Sequence, residues 1–224
     1  MSARDRITAE ALKLFVRLGV DQTTTREIAA AAGIAEGTIY RHFKSKDELA
    51  QGLFERNYLA FAGYLERAAQ RAASPRERLA YMLSWLCVAA ERDSDLFAYL
   101  FLAPHGLEAR VPPEAVPPMD LLRRAVADAA APGRSPDLML AVVTGALFGA
   151  VQARRQGRLA HSLIDESPRL VEAAEALLGL SAAEASKPTV LSEDAAYPEA
   201  SVPPEAKPAY VRGLQTPAEV ELAD

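Results

Sequence analysis

Residues 24–49 read TTREIAAAAGIAEGTIYRHFKSKDEL. Thr24 followed three residues later by Glu27 is a capping box: the hydroxyl accepts from one orphan amide and the carboxylate reaches back to another. A helix is therefore predicted to start at Thr25. Ile28, Ala29 and Ala32 give it an apolar side at i, i+1, i+4, and Gly33 takes the positive φ that stops it. After Gly33-Ile34-Ala35, a second short helix is expected from Glu36 to about Phe43, with Ile39 and Phe43 on one face. Its other face carries Glu36, Gly37, Thr38, Tyr40, Arg41 and His42. Ser45 and Glu48 repeat the capping pattern, so a third helix is predicted near Lys46. Two short helices joined by a three-residue turn bury little alone, but with a packing helix they make a helix-turn-helix. The polar face of the second helix is then its working surface. Thr, Tyr, Arg and His there donate to phosphate oxygens or base edges, and Lys44 and Lys46 add point charges.

On Thr23, Thr24, Glu27, Ile28, Ala29, Ala32, Gly33, Ile34, Gly37, Thr38, Ile39, Tyr40, His42, Phe43, Ser45, Lys46 and Leu49, the run resembles the DNA-binding domain of the TetR family of bacterial transcriptional regulators. The resemblance implies an all-α fold: an N-terminal three-helix helix-turn-helix domain followed by a helical ligand-binding and dimerisation domain. It also implies that Thr25, Thr38, Tyr40, His42 and Lys46 anchor phosphates or bases, while Glu36, Gly37 and Arg41 are placed to read sequence. With Thr24 and Lys44 these make the expected DNA-binding set. One position departs from the pattern. Residue 35, ordinarily a hydroxyl cap of the reading helix, is Ala, a loss of about 1 kcal/mol that Glu36 in the first turn offsets in part.

The chain has 224 residues, enough for one or two domains with a core. No uninterrupted apolar run approaches the ~18 residues that span a bilayer, and MSARDRITAE carries charges where an export signal needs an apolar stretch. These readings predict a soluble cytoplasmic protein with no membrane partner. The lone Cys87 is consistent with a reducing compartment. A net charge of −5 is unusual for a duplex binder, but residues 181–224 hold 3 basic and 8 acidic residues, so the tail carries the whole excess. Local cations still suffice, because charge is screened beyond about 10 Å in ordinary salt.

In chain order, a helix over about 4–18 carries the stripe Ile7, Ala11, Leu14, Phe15, Leu18. The helix from Lys46 is predicted to continue to about Ala73, with Phe54, Tyr58, Phe61 and Leu65 on one side. Ser74-Pro75 opens another to about Arg92, and Asp93–Leu102 reads as a short apolar helix. Residues 103–118 form an irregular, Pro-rich loop before a helix from Met119 to Ala131. Ser135-Pro136 then starts a long apolar helix to Arg155, and Ser167-Pro168 the last one, to about Leu178. The expected domains are 1–48 for DNA binding and 49–180 for ligand binding and dimerisation. The remainder, 181–224, is a Pro/Ala/Glu-rich tail read as disordered, with Tyr197, Tyr210 and Val211 available to dock on the body.

The last two helices are too apolar to stand exposed. Leu138, Val142, Gly145, Gly149, Leu170, Ala174 and Leu177 are the expected dimer surface, on which two copies bury one another; the resemblance implies the same four-helix interface. Tyr58, Phe61, Tyr81, Trp85, Phe97, Tyr99, Phe101, Met119 and Met139 supply aromatic and soft side chains for an apolar effector pocket, although helical spacing alone does not separate pocket from core. No catalytic constellation, metal set or cofactor motif emerges: His42, His105 and His161 are scattered, and Cys87 reads as a packing residue rather than a thiol sensor. The function read from the sequence is a ligand-responsive, homodimeric regulator, a repressor bound to a palindromic double-stranded operator and released by a small-molecule effector. Two alternatives stay open. One is a small-molecule carrier or enzyme with an idle helix-turn-helix; the other is a regulator that activates or answers to a protein partner.

Overall fold

The computed structural model describes residues 2–70, 72–103, 106–113 and 115–180. His105 and the tail from residue 181, with Tyr197, Tyr210 and Val211, lie outside the described residues. Within them the fold is all-α: α1 (Ala3–Leu18), α2 (Thr25–Ala32), α3 (Glu36–His42), α4 (Lys46–Gln70), α5 (Pro75–Arg92), α6 (Ser94–Phe101), a 3-10 turn (Leu107–Arg110), α7 (Pro118–Ala129), α8 (Pro136–Arg155) and α9 (Leu163–Leu177). The chain forms two compact units. Among the described residues, one gathers 2–60 with 95–115, the other 61–94 with 116–180.

In the first unit, α1 carries most of the expected stripe inward: Ile7, Ala11, Leu14 and Phe15 are buried while Leu18, at the end of the helix, is exposed, and Ile28 of α2 and Ile39 of α3 are fully buried. Two capping boxes set the starts of α1 and α2, at Ser2/Asp5 and Thr24/Glu27. Ser45 Oγ accepts from the Glu48 amide at 3.0 Å, while the Glu48 carboxylate accepts from the Lys44 amide, so α4 begins where its sequence predicts. Residues 95–115 return to this unit through Tyr99. Its ring stacks on Phe15, with centroids 6.0 Å apart, and meets Phe54 edge-on at 6.2 Å. Its hydroxyl donates to the Ala50 carbonyl oxygen at 2.8 Å, and burial pushes the phenol pKa upward.

The second unit is built round α5, which is buried without a break from Met82 to Ala90. A helix apolar on all sides needs cover on all sides, and α7, α8 and α9 supply it. Arg76 of α5 grips Glu175 of α9 with two N–H groups, Nε at 2.7 Å and Nη2 at 2.5 Å. At the other end of α5, Arg154 donates to Glu91, whose second oxygen accepts from the Leu163 amide at 3.0 Å. Burial raises the Glu91 pKa, but the Arg154 and Leu163 hydrogen bonds outweigh it and hold the carboxyl below its ordinary value.

The last helix starts earlier than Ser167-Pro168 suggests. Ser162 Oγ accepts from the Asp165 amide at 3.1 Å and caps α9 there, leaving Pro168 inside the helix. Proline has no N–H for the Ile164 carbonyl; Ser167 Oγ donates to that oxygen instead, at 2.9 Å. By length and composition α8 is long and apolar enough to cross a membrane, a property its sequence did not suggest, and only 28% of its apolar window is buried.

Candidate nucleic-acid interface

The turn between α2 and α3 closes as its residues require. Gly33 sits at φ 65°, ψ 41°, a left-handed conformation that other residues rarely adopt, and the Ile34 amide returns to the Ala29 carbonyl oxygen at 3.0 Å. Ala35, the N-cap of α3, makes no side-chain cap bond, as its methyl dictates. With Ile39 and Phe43 buried, α3 turns its other side outward: Glu36, Gly37, Tyr40 and Arg41 are exposed, and Thr38 and His42 are half-buried. Arg4 of α1 lies 4.9 Å over the Phe43 ring, a cation–π contact that ties α1 to the end of α3.

The ten expected DNA-binding residues all reach the surface of this unit, but they are not equally free. Thr24 is engaged in its cap: its hydroxyl accepts from the Glu27 amide at 3.2 Å, and Glu27 Oε2 accepts from both the Thr24 amide and hydroxyl at 2.8 Å. Those bonds hold the Glu27 carboxyl below its ordinary pKa. The Lys46 ammonium donates to the backbone carbonyl oxygens of Val20 (2.6 Å) and Asp21 (3.1 Å), closing the α1–α2 loop. Thr25 Oγ1 donates to Glu36 Oε1 at 2.7 Å and lies 3.3 Å from the Tyr40 hydroxyl. Gly37, Arg41 and Lys44 remain open to solvent.

The nine aromatic and soft residues expected around an effector mostly fill space. In the first unit, Phe54 stacks on Tyr58, Tyr58 meets Phe101, and Phe97 meets Phe101. In the second, Trp85 is wedged edge-on to Phe61 and parallel to Tyr64, Met139 is buried, and Tyr81 and Met119 are half-buried. None of the nine lines the two cavities of about 280 Å³ found in the units. The cavity in the second unit has Met82, Leu121 and Ala125 for its floor and Glu66, Arg78, Arg124 and Asp128 at its rim. The sequence did carry a trace of it: Leu121, Arg124, Ala125 and Asp128 recur at i, i+3, i+4, i+7 on α7. The other cavity, in the first unit, lies against Phe15, Ala50, Ala103 and Leu107, with Asp21, Asp47 and Arg110 also in its lining.

Of the expected dimer residues, Leu138 is 58% and Leu177 41% exposed. Gly145 and Gly149 are exposed, Val142 and Leu170 half-buried, and Ala174 is buried within its own unit. A Cβ built on either glycine meets nothing within 4 Å, so this side of α8 is bare.

Residues 7–53 match the family model described as bacterial regulatory proteins, tetR family. The transcriptional repressor KstR2 of Mycolicibacterium smegmatis is 32% identical over 124 residues, covering 49% of this chain and 60% of that protein. The fatty acid metabolism regulator protein of Bacillus subtilis is 29% identical over 107 residues, covering 47% and 55%. The chain thus spans somewhat over half the length of these curated relatives. Among solved structures, FadR of Bacillus subtilis in complex with stearoyl-CoA superposes with a TM-score of 0.60 at 20% identity, covering 75% of this chain and 96% of that one. FadR of Bacillus halodurans gives 0.62 at 18%, covering 80% and 96%. At such identities the likeness shows the fold. With the helix-turn-helix geometry above, residues 7–53 are similar to the DNA-binding region of the bacterial regulatory proteins of the tetR family.

Proposed function

We propose that this protein is a cytoplasmic, homodimeric repressor that binds a palindromic operator through α2 and α3 and is released by a small, largely apolar effector held in the second unit. The observation that carries the reading is the outward side of α3. Ile39 is wholly buried while Tyr40, the next residue, is 54% exposed among Gly37, Arg41 and Lys44, a surface of donors suited to phosphates and base edges. In this reading Thr38, Tyr40 and His42 anchor the backbone, Glu36, Gly37 and Arg41 face the bases, Thr25 holds Glu36, and Lys46 braces the loop beside them.

The exposed Leu138 of α8 and Leu177 of α9, with the bare side of α8 at Gly145 and Gly149, support a two-fold dimer that covers them. Dimeric helix-turn-helix proteins read half-sites roughly 34–36 Å apart. The stearoyl-CoA bound by FadR and the fatty acid regulator's name support an acyl thioester as effector class. The second-unit cavity offers an apolar floor for part of such a chain and Arg124 at its rim, beside Glu66 and the Arg78–Asp128 pair. Ligand that favours one arrangement of the two heads shifts the population away from the operator-binding one.

The test uses duplexes selected from a random library by the full chain. Tyr40→Ala lowers affinity for selected and random duplex together, whereas Arg41→Ala chiefly narrows the gap between them. Affinities unchanged within about twofold in both variants, under ~0.4 kcal/mol, would overturn the assignment of α3. Stearoyl-CoA added to the complex is expected to release the duplex; retention at saturating ligand removes the acyl thioester class.

A further inference from the structure

We infer that Thr25 positions the Glu36 carboxylate as a base reader and that the base it reads is a cytosine, recognised at its N4 amine in the major groove. The inference rests on α3 facing the duplex. Thr25 belongs to α2 and Glu36 to α3, 11 residues apart, so the 2.7 Å bond from Thr25 Oγ1 to Glu36 Oε1 bridges the two helices on their outward side. The single hydroxyl proton of Thr25 is spent on Glu36. The Tyr40 hydroxyl lies 3.3 Å from the same oxygen, at the long end of hydrogen bonding, so its proton stays available to a phosphate. An exposed glutamate ordinarily samples many rotamers. This one is held before any duplex arrives, with Oε2 left without a protein partner among the described residues.

The chemistry of the held group narrows its target. An ionised carboxylate accepts hydrogen bonds and donates none. Beside a phosphate it is repelled, so Glu36 suits the groove rather than the backbone. In the major groove, guanine presents N7 and O6 and thymine O4, all acceptors that a carboxylate repels; adenine pairs its N6 amine with an N7 acceptor. Cytosine offers the N4 donor, which leaves it as the base that Glu36 Oε2 favours. Thr25 touches no base in this scheme: it is a positioning residue that acts through Glu36.

Selection from a random duplex library is repeated with the full-length wild type, Glu36→Gln and Thr25→Val, each checked for unchanged helicity. The wild type is expected to enrich half-sites with one position where cytosine is favoured about tenfold. Glu36→Gln moves that preference to adenine, because an amide offers a donor and an acceptor together. Thr25→Val keeps cytosine first but weakens the preference several-fold, leaving the other positions as they were. A palindrome with no favoured cytosine, or with the same bases in Glu36→Gln, overturns the inference while leaving α3 as the reading helix. Thr25→Val indistinguishable from wild type overturns the positioning role. A folded wild type that enriches no palindrome fails at the underlying reading, and the inference falls with it.

Discussion

Arg76 and Glu175 offer a sharp test of how the second unit is held together. Their side chains are 11% and 9% exposed, they meet through two N–H···O contacts, and they join helices 99 residues apart in sequence. An exposed ion pair is worth about 0–1 kcal/mol, but deleting one partner of a buried pair strands the other's charge and costs about 3–5 kcal/mol. A tenth of residual exposure places this pair near the lower end of that range. Glu175→Ala and Arg76→Ala are each expected to lower stability by about 3 kcal/mol. The double variant costs about as much as either single one, because no stranded charge remains, so the coupling is itself about 2–3 kcal/mol. Replacing the pair together by Met and Leu is expected to be close to neutral, since apolar side chains of similar volume escape the desolvation cost. Urea unfolding followed by helical circular dichroism, at one fixed protomer concentration, measures all four. Single-variant losses under about 1 kcal/mol that simply add would show an ordinary surface pair, and the reasoning would be wrong.

Three further outcomes follow from particular residues. Ala35 already has the extended backbone of an N-cap, φ −69° and ψ 140°, without a side chain to use it; Ala35→Ser is expected to raise stability by about 0.5–1 kcal/mol, and a lowered thermal midpoint would refute that. Cys87 is fully buried, and burial, with the Glu91 charge adding, pushes its thiol up to about 12. A raised folded pKa means that its contribution is complete below about 8.5, the value of an unfolded thiol, and is lost as pH rises from there toward the folded value. The expected loss is about 1.4 kcal/mol per pH unit at most, read as falling urea midpoints that Cys87→Ala flattens. Native protein at pH 8 should also resist thiol reagents that label it at once in urea, and stoichiometric native labelling would contradict this burial. Leu138→Arg, placed on the bare face of α8, is expected to shift the protein toward monomer in sedimentation without loss of helix; an unchanged dimer would mean that the copies meet elsewhere.

Much of this was legible in the chain because it is local. The caps at Thr24 and Ser45, the left-handed Gly33 and the inward Ile28 and Ile39 are set by residues within a few positions of one another, and the structure follows them. Ser167-Pro168 misled because a serine before a proline matches a helix start, yet the same serine mends the carbonyl that the proline orphans. The return of residues 95–115 to the first unit depends on Tyr99 meeting Phe15 and Ala50, contacts that no periodicity announces. Aromatic richness pointed toward a pocket, but Phe61 and Trp85 satisfy one another, and the second-unit cavity belongs to smaller side chains and arginines. Lys46 reads as a free cation and proves to be tied to the loop before it. Except at Ser167, the side chain's partner lay far along the chain, where spacing carries no information.

Two copies that present paired α3 helices to one operator leave a pattern on a selected duplex that hydroxyl-radical footprinting reads. Two protected patches are expected on one face, centred about 10–10.5 base pairs or a whole multiple apart, with both lost together in Tyr40→Ala. A single protected patch, or two on opposite faces, would contradict that pairing.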